Sequence, residues 1–399
     1  MPAARSLRPS GEPSGRTSGR TSGRHRGRLL AVLAAGIVAV LAAACVPPAE
    51  VGAPPLLVGN WVNGGGQIWD LAFAPVWVPP VYTDNNSGTI FARFSDAEPA
   101  RPLGTVATFD SFDPTGEGGL MGIAFDPGYN ATTNKHAYVC YSTPADNRVA
   151  RFDLDEFAGP GARITNWTPI VTGIPHNSFH DGCRVRFQPG TGALFVSTGD
   201  AGSATAPQDP ASLGGKVLRI DTNGNPWPGN VSGARWYTRG HRNPQGIAFR
   251  PGSNDPYSVE HGPDRNDEVN QLVNGGNGGW NPNDGAGNYD QTQPMTNPAL
   301  PGPIMTAVWR SGDGGTVAPS GATFLSGAQW RNWNGAMAVA ELKGSQLMIL
   351  KLTADGSALS QFPVGALARG TRLRSTVEGP DGNLYIVTDG GVIWKVVPF

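Results

Sequence analysis

Charge is sparse in this chain, helical periodicity is nearly missing, and neither histidine nor cysteine is common. Only 15% of the 399 residues are charged and the formal net charge is −1, so the chain as a whole offers no electrostatic case for nucleic acid. After Ala44 hardly any segment repeats its apolar residues at a helical period. The one long apolar run, residues 29–44, is too short to span a bilayer comfortably. Glycine (56 residues) and proline (36) are abundant instead, which suits short strands joined by many turns.

The N-terminal stretch does not read as part of a folded domain. Arginines recur from Arg5 to Arg28 among Gly, Ser, Thr and Pro; the apolar run follows and ends in Ala42-Ala43-Ala44 just before Cys45. Basic, apolar and small-residue zones in that order predict a secretory signal over residues 1–45, a buried core helix being the alternative. Leu41 to Cys45 is similar to the lipobox of bacterial lipoproteins, with the leucine one position further from the cysteine than usual. Lipidation of Cys45 and plain cleavage both remain open there. Residues 46–62 read as a linker and 63–399 as the folded domain, which exceeds a typical single core yet has no second linker. The expected location is outside the cytoplasm, extracellular or on the outer face of the cytoplasmic membrane, with membrane contact only through a lipid on Cys45. In that oxidising setting Cys140 and Cys183 form an even pair, and a disulfide between them is expected over two separate buried thiols.

A strand-turn-strand unit recurs along the domain. Its opening reads Leu71-Ala72-Phe73-Ala74-Pro75, then Ile123-Ala124-Phe125-Asp126-Pro127, Val185-Arg186-Phe187-Gln188-Pro189 and Ile247-Ala248-Phe249-Arg250-Pro251. A fifth copy is centred on residues 336–352, and the sixth runs from Thr376 to Lys395. Runs of four to six residues rich in Val, Ile, Phe and Tyr and bounded by turn formers are strands. Six unequally spaced copies predict an all-β, six-bladed propeller, each blade with its own small core. A β-sandwich would not explain the repeated opening.

Only six histidines occur, and four of them, His176, His180, His241 and His261, lie in Gly-rich turns. The segments around them are Phe179-His180-Asp181-Gly182-Cys183-Arg184, Thr198-Gly199-Asp200-Ala201-Gly202, Gly240-His241-Arg242-Asn243-Pro244-Gln245-Gly246, and His261-Gly262-Pro263-Asp264 continuing through Glu268 to Gly278-Gly279-Trp280. Glu341-Leu342-Lys343 and Arg372-Leu373-Arg374 complete the series. In this order they resemble the glucose/sorbosone and aldose sugar dehydrogenase family of enzymes that use pyrroloquinoline quinone (PQQ), over nearly the whole chain after Gln67.

The resemblance implies oxidation of an aldose sugar at C1 with PQQ and Ca²⁺ as cofactors. It implies His180 as general base, near neutral in its unperturbed pKa, with Asp200 orienting its ring. Arg242 and Asn243 would contact the quinone, Arg242 stabilising developing negative charge. Lys343, Arg372 and Arg374 would hold the carboxylates of the cofactor, since an arginine fork matches a carboxylate in two parallel bonds. Arg372 and Arg374 are i and i+2 and share a strand face, where two cations repel without an anion between them. The carbonyls of Gly262 and Pro263 would bind the Ca²⁺ at the cofactor, and Glu268 with the carbonyl of Gly278 a structural Ca²⁺; a solvated turn is the alternative for the acidic run.

Three positions depart from the family pattern. Glu117 stands near the quinone where the glucose dehydrogenases have Gln, Phe179 precedes the base where they have Asp, and Gly278 replaces an aromatic residue. The first two favour the broader aldose sugar dehydrogenase branch. A carboxylate at Glu117 facing an anionic cofactor requires compensation. Two other functions compete: a non-catalytic sugar- or partner-binding propeller, which predicts loss of the base or clamps, and a calcium-dependent lactonase-type hydrolase, which needs converging acids in place of cations. Trp309 and Trp330 could stack on a sugar, although core packing is the more ordinary role for each. The electron acceptor cannot be read from the sequence.

Overall fold

The computed structural model describes residues 52–96, 98–155 and 163–399. The expected signal over 1–45, Cys45 and the start of the linker lie outside them. The described chain is a six-bladed β-propeller of six sheets, antiparallel except where Gly276–Asn277 pairs parallel with Trp236–Arg239 at the outer edge of blade 3. Their inner strands are Ile68–Ala72, Leu120–Phe125, Gly182–Phe187, Pro244–Phe249, Pro319–Phe324 and Leu373–Glu378, for blades 1 to 6 in turn. Among the described residues helical structure is confined to short 3-10 turns.

Two elements differ from the sequence reading. The segment read as linker contains the strand Leu56–Asn63, which pairs antiparallel with Val392–Pro398 and closes the ring as the outer strand of blade 6. Its residues are mostly exposed or half-buried, so it lacks the apolar signature of a core strand. Blade 5 begins at Pro319, before the copy recognised at Ala336; Pro319-Ser320-Gly321-Ala322 carries little apolar bulk. Packed neighbours supply the burial that its own composition does not.

Apolar layers fill the space between adjacent blades. Val81 and Ile90 of blade 1 pack with Ile123, Val139 and Phe152 of blade 2, and Tyr138 and Val149 of blade 2 pack with Val185, Val196 and Leu218 of blade 3. A disulfide joins Cys140 to Cys183 across blades 2 and 3. Trp330 is fully buried, stacked near Trp333, and Trp309 is buried too. Both are core residues.

A polar plug ties the blades at the axis. Asp70, wholly buried in blade 1, pairs with Arg184 at 2.6 Å and with Arg186 at 2.7 Å, both from blade 3. It also accepts the Ile123 N–H of blade 2 and the Ser375 hydroxyl of blade 6. The buried Arg184 guanidinium lies 4.0 Å from the Trp69 ring centroid and donates to the Gln245 carbonyl of blade 4 and the Ser375 hydroxyl. Burial works to raise the Asp70 carboxyl, but the two guanidiniums outweigh it and bring the pKa down to about 2.

Candidate active site

Register gathers the candidate residues at one rim. Inner strands begin there and second strands end there: Gly182 pairs with Thr198, Pro244 with Glu260, Pro319 with Glu341 and Leu373 with Thr388. Glu117, His180, Arg242 and Arg372 therefore lie just ahead of the inner strands of blades 2, 3, 4 and 6. Asp200, Gly262, Lys343 and Asp389 follow the second strands of blades 3, 4, 5 and 6.

The His180 ring is 6% exposed, and its Nδ1 lies 2.8 Å from Asp200 Oδ1. Asp200 is saturated: Oδ1 also accepts the Gly202 N–H at 2.8 Å, and Oδ2 accepts Trp280 Nε1 at 2.8 Å and the Tyr289 hydroxyl at 2.7 Å. A carboxylate accepting at that point assigns the proton to Nδ1 and leaves Nε2 as the basic nitrogen. Burial and the Asp200 charge push the Tyr289 phenol upward, so it stays a donor. His180, Cys183 and Ala201 hold φ of 62°, 64° and 50°; non-glycine residues keep such strained backbone only where their surroundings over-determine it. Phe179, partly exposed, sets its ring edge-on to the imidazole at 4.7 Å.

Glu117 answers the question its charge raised. Its Oε2 accepts the His180 backbone N–H at 3.0 Å, the Asn243 side-chain amide at 3.0 Å and the Gln245 amide at 3.3 Å. Three donors compensate the carboxylate without a cofactor. Asn243, fully buried, also accepts the Gly182 N–H through Oδ1, so both ends of its amide brace the rim. Gln245 Oε1 in turn accepts Arg374 Nη1 at 3.1 Å.

The anion expected between the paired arginines is supplied by a side chain of the protein itself. Asp389 lies between Arg372 and Arg374, accepting Arg372 Nε at 2.8 Å and Arg374 Nε at 2.8 Å. One carboxylate for two guanidiniums leaves a net positive charge. Arg372 spends only Nε in this pair, and its side chain is 52% exposed. Lys343 Nζ is exposed and donates to Thr316 Oγ1. Arg242 donates to Gln291 Oε1 at 2.9 Å and to the His261 carbonyl at 3.2 Å, while buried Glu260 takes its backbone N–H and the His241 ring. Burial drives the His261 imidazole well below its ordinary pKa, and the charges of Arg242, Arg374 and Arg372 act in the same direction. That ring therefore sits amid the converging cations, and its buried Nε2 has no partner among the described residues.

The oxygen donors suit a hard cation at two places. No donor among the described residues hydrogen-bonds the carbonyl oxygens of Gly262, Pro263 or Gly278. Buried Asp267 fixes the first turn by accepting the N–H groups of Gly262, Val317 and Ala318; the Lys343 N–H then binds the Val317 carbonyl. Turn and lysine are thus held as one unit. Burial, then the charge of Glu260, raises the Glu268 carboxyl to about 7. Glu268 accepts from Thr296 and Asn270, and the Asn270 Oδ1 beside it is buried without a partner. Among the described residues no cluster of three or more His, Cys, Asp or Glu side chains could hold a metal; the first candidate position offers backbone oxygens and the second a single carboxylate beside a backbone oxygen.

Sequence reasoning missed Gln245, Gln291, Tyr289, Asp267 and Asp389. Gln245 and Asp267 stood inside recognised motifs, whereas the others are isolated polar residues in loops, with no local pattern to mark them.

Residues 67–395 match the family described as Glucose / Sorbosone dehydrogenase. Aldose sugar dehydrogenase YliI of Escherichia coli is 29% identical over 307 residues, 71% of this chain and 78% of that protein. Quinoprotein glucose dehydrogenase B of Acinetobacter calcoaceticus is 26% identical over 368 residues, 69% of this chain and 74% of that one. The PQQ-bound aldose sugar dehydrogenase of Streptomyces coelicolor superposes with a TM-score of 0.70 at 27% identity, covering 86% of this chain and 99% of that structure.

Proposed function

Because this chain belongs to the glucose/sorbosone dehydrogenase family, we propose that it oxidises aldose sugars at C1 with PQQ and Ca²⁺, using His180 as general base. The observation that carries the reading is the His180–Asp200 pair at 2.8 Å on the same rim as Arg242, Arg372 and Arg374.

When bound, PQQ supplies the two-electron acceptor, and Ca²⁺ would polarise it. The chain supplies the rest. His180 Nε2 accepts the proton of the C1 hydroxyl, and the imidazolium that forms is stabilised through Nδ1–H by Asp200. Trp280 and Tyr289 hold Asp200 in place, so the base is oriented before substrate arrives. Arg242, braced by Gln291 and the His261 carbonyl, offers fixed positive charge to developing negative charge. Arg372, Arg374 and Lys343 would hold carboxylates, and the Gly262 and Pro263 carbonyls would hold the cation.

The test is reconstitution. Protein supplied with PQQ and Ca²⁺ is expected to reduce a dye acceptor with aldoses, and EDTA treatment is expected to abolish the reduction. Quinone binding with no aldose turned over would favour a binding propeller, and lactone hydrolysis would favour the hydrolase.

A further inference from the structure

The rim opposite the candidate site carries an apolar projection that the proposed reaction does not use. Residues 74–80 follow the inner strand of blade 1 and so lie at the far end of the ring. Trp77 at their tip is 94% exposed and Val76 39% exposed. Pro75, Pro79 and Pro80 flank them, and fixed φ angles make the projection stiff. Beneath it a cavity of about 310 Å³ is lined by Trp61, Phe73 and Tyr385. A second groove, about 420 Å³, continues from Trp61 along Leu57, which is 66% exposed. The charges lining these grooves are paired: Arg93 with Asp96, and Lys395 with Asp381. Such a surface has no field to attract a polyanion, but it suits an uncharged interface where indole rings settle at headgroup depth.

The chain also enters the fold at this end. Gly52 accepts the Asn332 N–H, and Leu56 pairs with Pro398. From Cys45 to Gly52 the backbone can reach at most about 25 Å. We propose that this far rim is a membrane-contact surface on which Trp77 inserts into the headgroup region of a zwitterionic phospholipid bilayer. A single acyl chain binds membranes only marginally and needs a second contact, which the Trp77 projection provides. The candidate site then faces away from the bilayer. This orientation rests on the lipid-anchor reading of Cys45; the Trp77 contact itself does not.

Full-length protein is mixed with phosphatidylcholine vesicles whose acyl chains are brominated near the headgroup. Wild-type fluorescence is expected to be quenched, and Trp77→Phe, which keeps an apolar tip without the indole, is expected to lose that quenching while still sedimenting with vesicles. Equal quenching in both proteins overturns the proposal even if both sediment, which would leave the anchor reading intact. A Trp77-dependent quench that persists in Cys45→Ser supports the contact and separates it from the anchor. A vesicle-free dimer dispersed by Trp77→Ser would overturn the proposal in favour of a second copy of the chain.

Discussion

Replacing Asp200 with asparagine tests the proposed chemistry at its most constrained point. Asp200 accepts four donors, two on each oxygen: His180 Nδ1 and the Gly202 N–H on one, Trp280 Nε1 and the Tyr289 hydroxyl on the other. Asparagine offers one oxygen and one NH₂ group. Trp280 is fully buried, and its indole can only donate, so facing it with NH₂ strands a donor at about 1–3 kcal/mol. The oxygen therefore turns toward Trp280 and Tyr289, and the NH₂ toward His180 and the half-buried Gly202 N–H, which water can reach. Nδ1 must then accept, which moves the ring proton to Nε2 and blocks the base. Recovering the active tautomer costs at least the stranded-donor energy, and the imidazolium also loses its counter-charge. Together these approach the full contribution of a general base, about 10²- to 10⁴-fold in kcat/KM. The assay is steady-state dye reduction by protein loaded with PQQ and Ca²⁺, with quinone absorbance confirming equal loading. Asp200→Asn within about fivefold of wild type at equal loading would refute the tautomer argument.

Other consequences can be checked separately. Asp70, held at about 2 against 3.8, contributes stability that is fully present above pH 3.8 and lost as pH falls through about 2. The shift corresponds to roughly 2 kcal/mol, so acid melts of Asp70→Asn should lose that pH dependence, and removing the partner of the buried Arg184 and the half-buried Arg186 should destabilise the fold by about 3–5 kcal/mol at neutral pH. Arg372→Gln should weaken PQQ binding by about 10- to 100-fold, as expected for a charge-assisted bond, in titrations followed by quinone absorbance. Glu117→Gln keeps the shape but can present an amide to three donors; it should lower the melting temperature measured by calorimetry, and an unchanged melt would show that the donors do not depend on the charge. Chelation of Ca²⁺ should lower the melting temperature and Ca²⁺ add-back restore it, since a cation at a hundredfold its Kd contributes about 2.7 kcal/mol.

Much of the architecture was open to reading because its signals are local. Turn residues and short β-branched runs recur with each blade, and the repeated Phe-X-Pro opening marks where four inner strands end. Strand Leu56–Asn63 escaped notice because it is mostly exposed or half-buried, and the blade 5 strand at Pro319 because its burial comes from neighbours distant in the chain. Site motifs were equally local for His180, Asp200 and Arg242, each beside the start or end of a strand. Phe179 and Glu117 could be flagged as departures, but their consequences could not be worked out from position alone.

The sequence by itself determined the six-bladed ring, because alternation and turn chemistry set short strands within a few residues, and its ordered motifs carried the resemblance to the family. Only the tertiary structure decided how charge is balanced there. Asp389 comes to lie between Arg372 and Arg374, three donors converge on Glu117, and Asp70 locks Arg184 and Arg186 at the axis, across as many as 128 positions for Glu117 and Gln245. Electrostatic compensation depends on distance in space and on exclusion of water, and neither quantity is written along the chain.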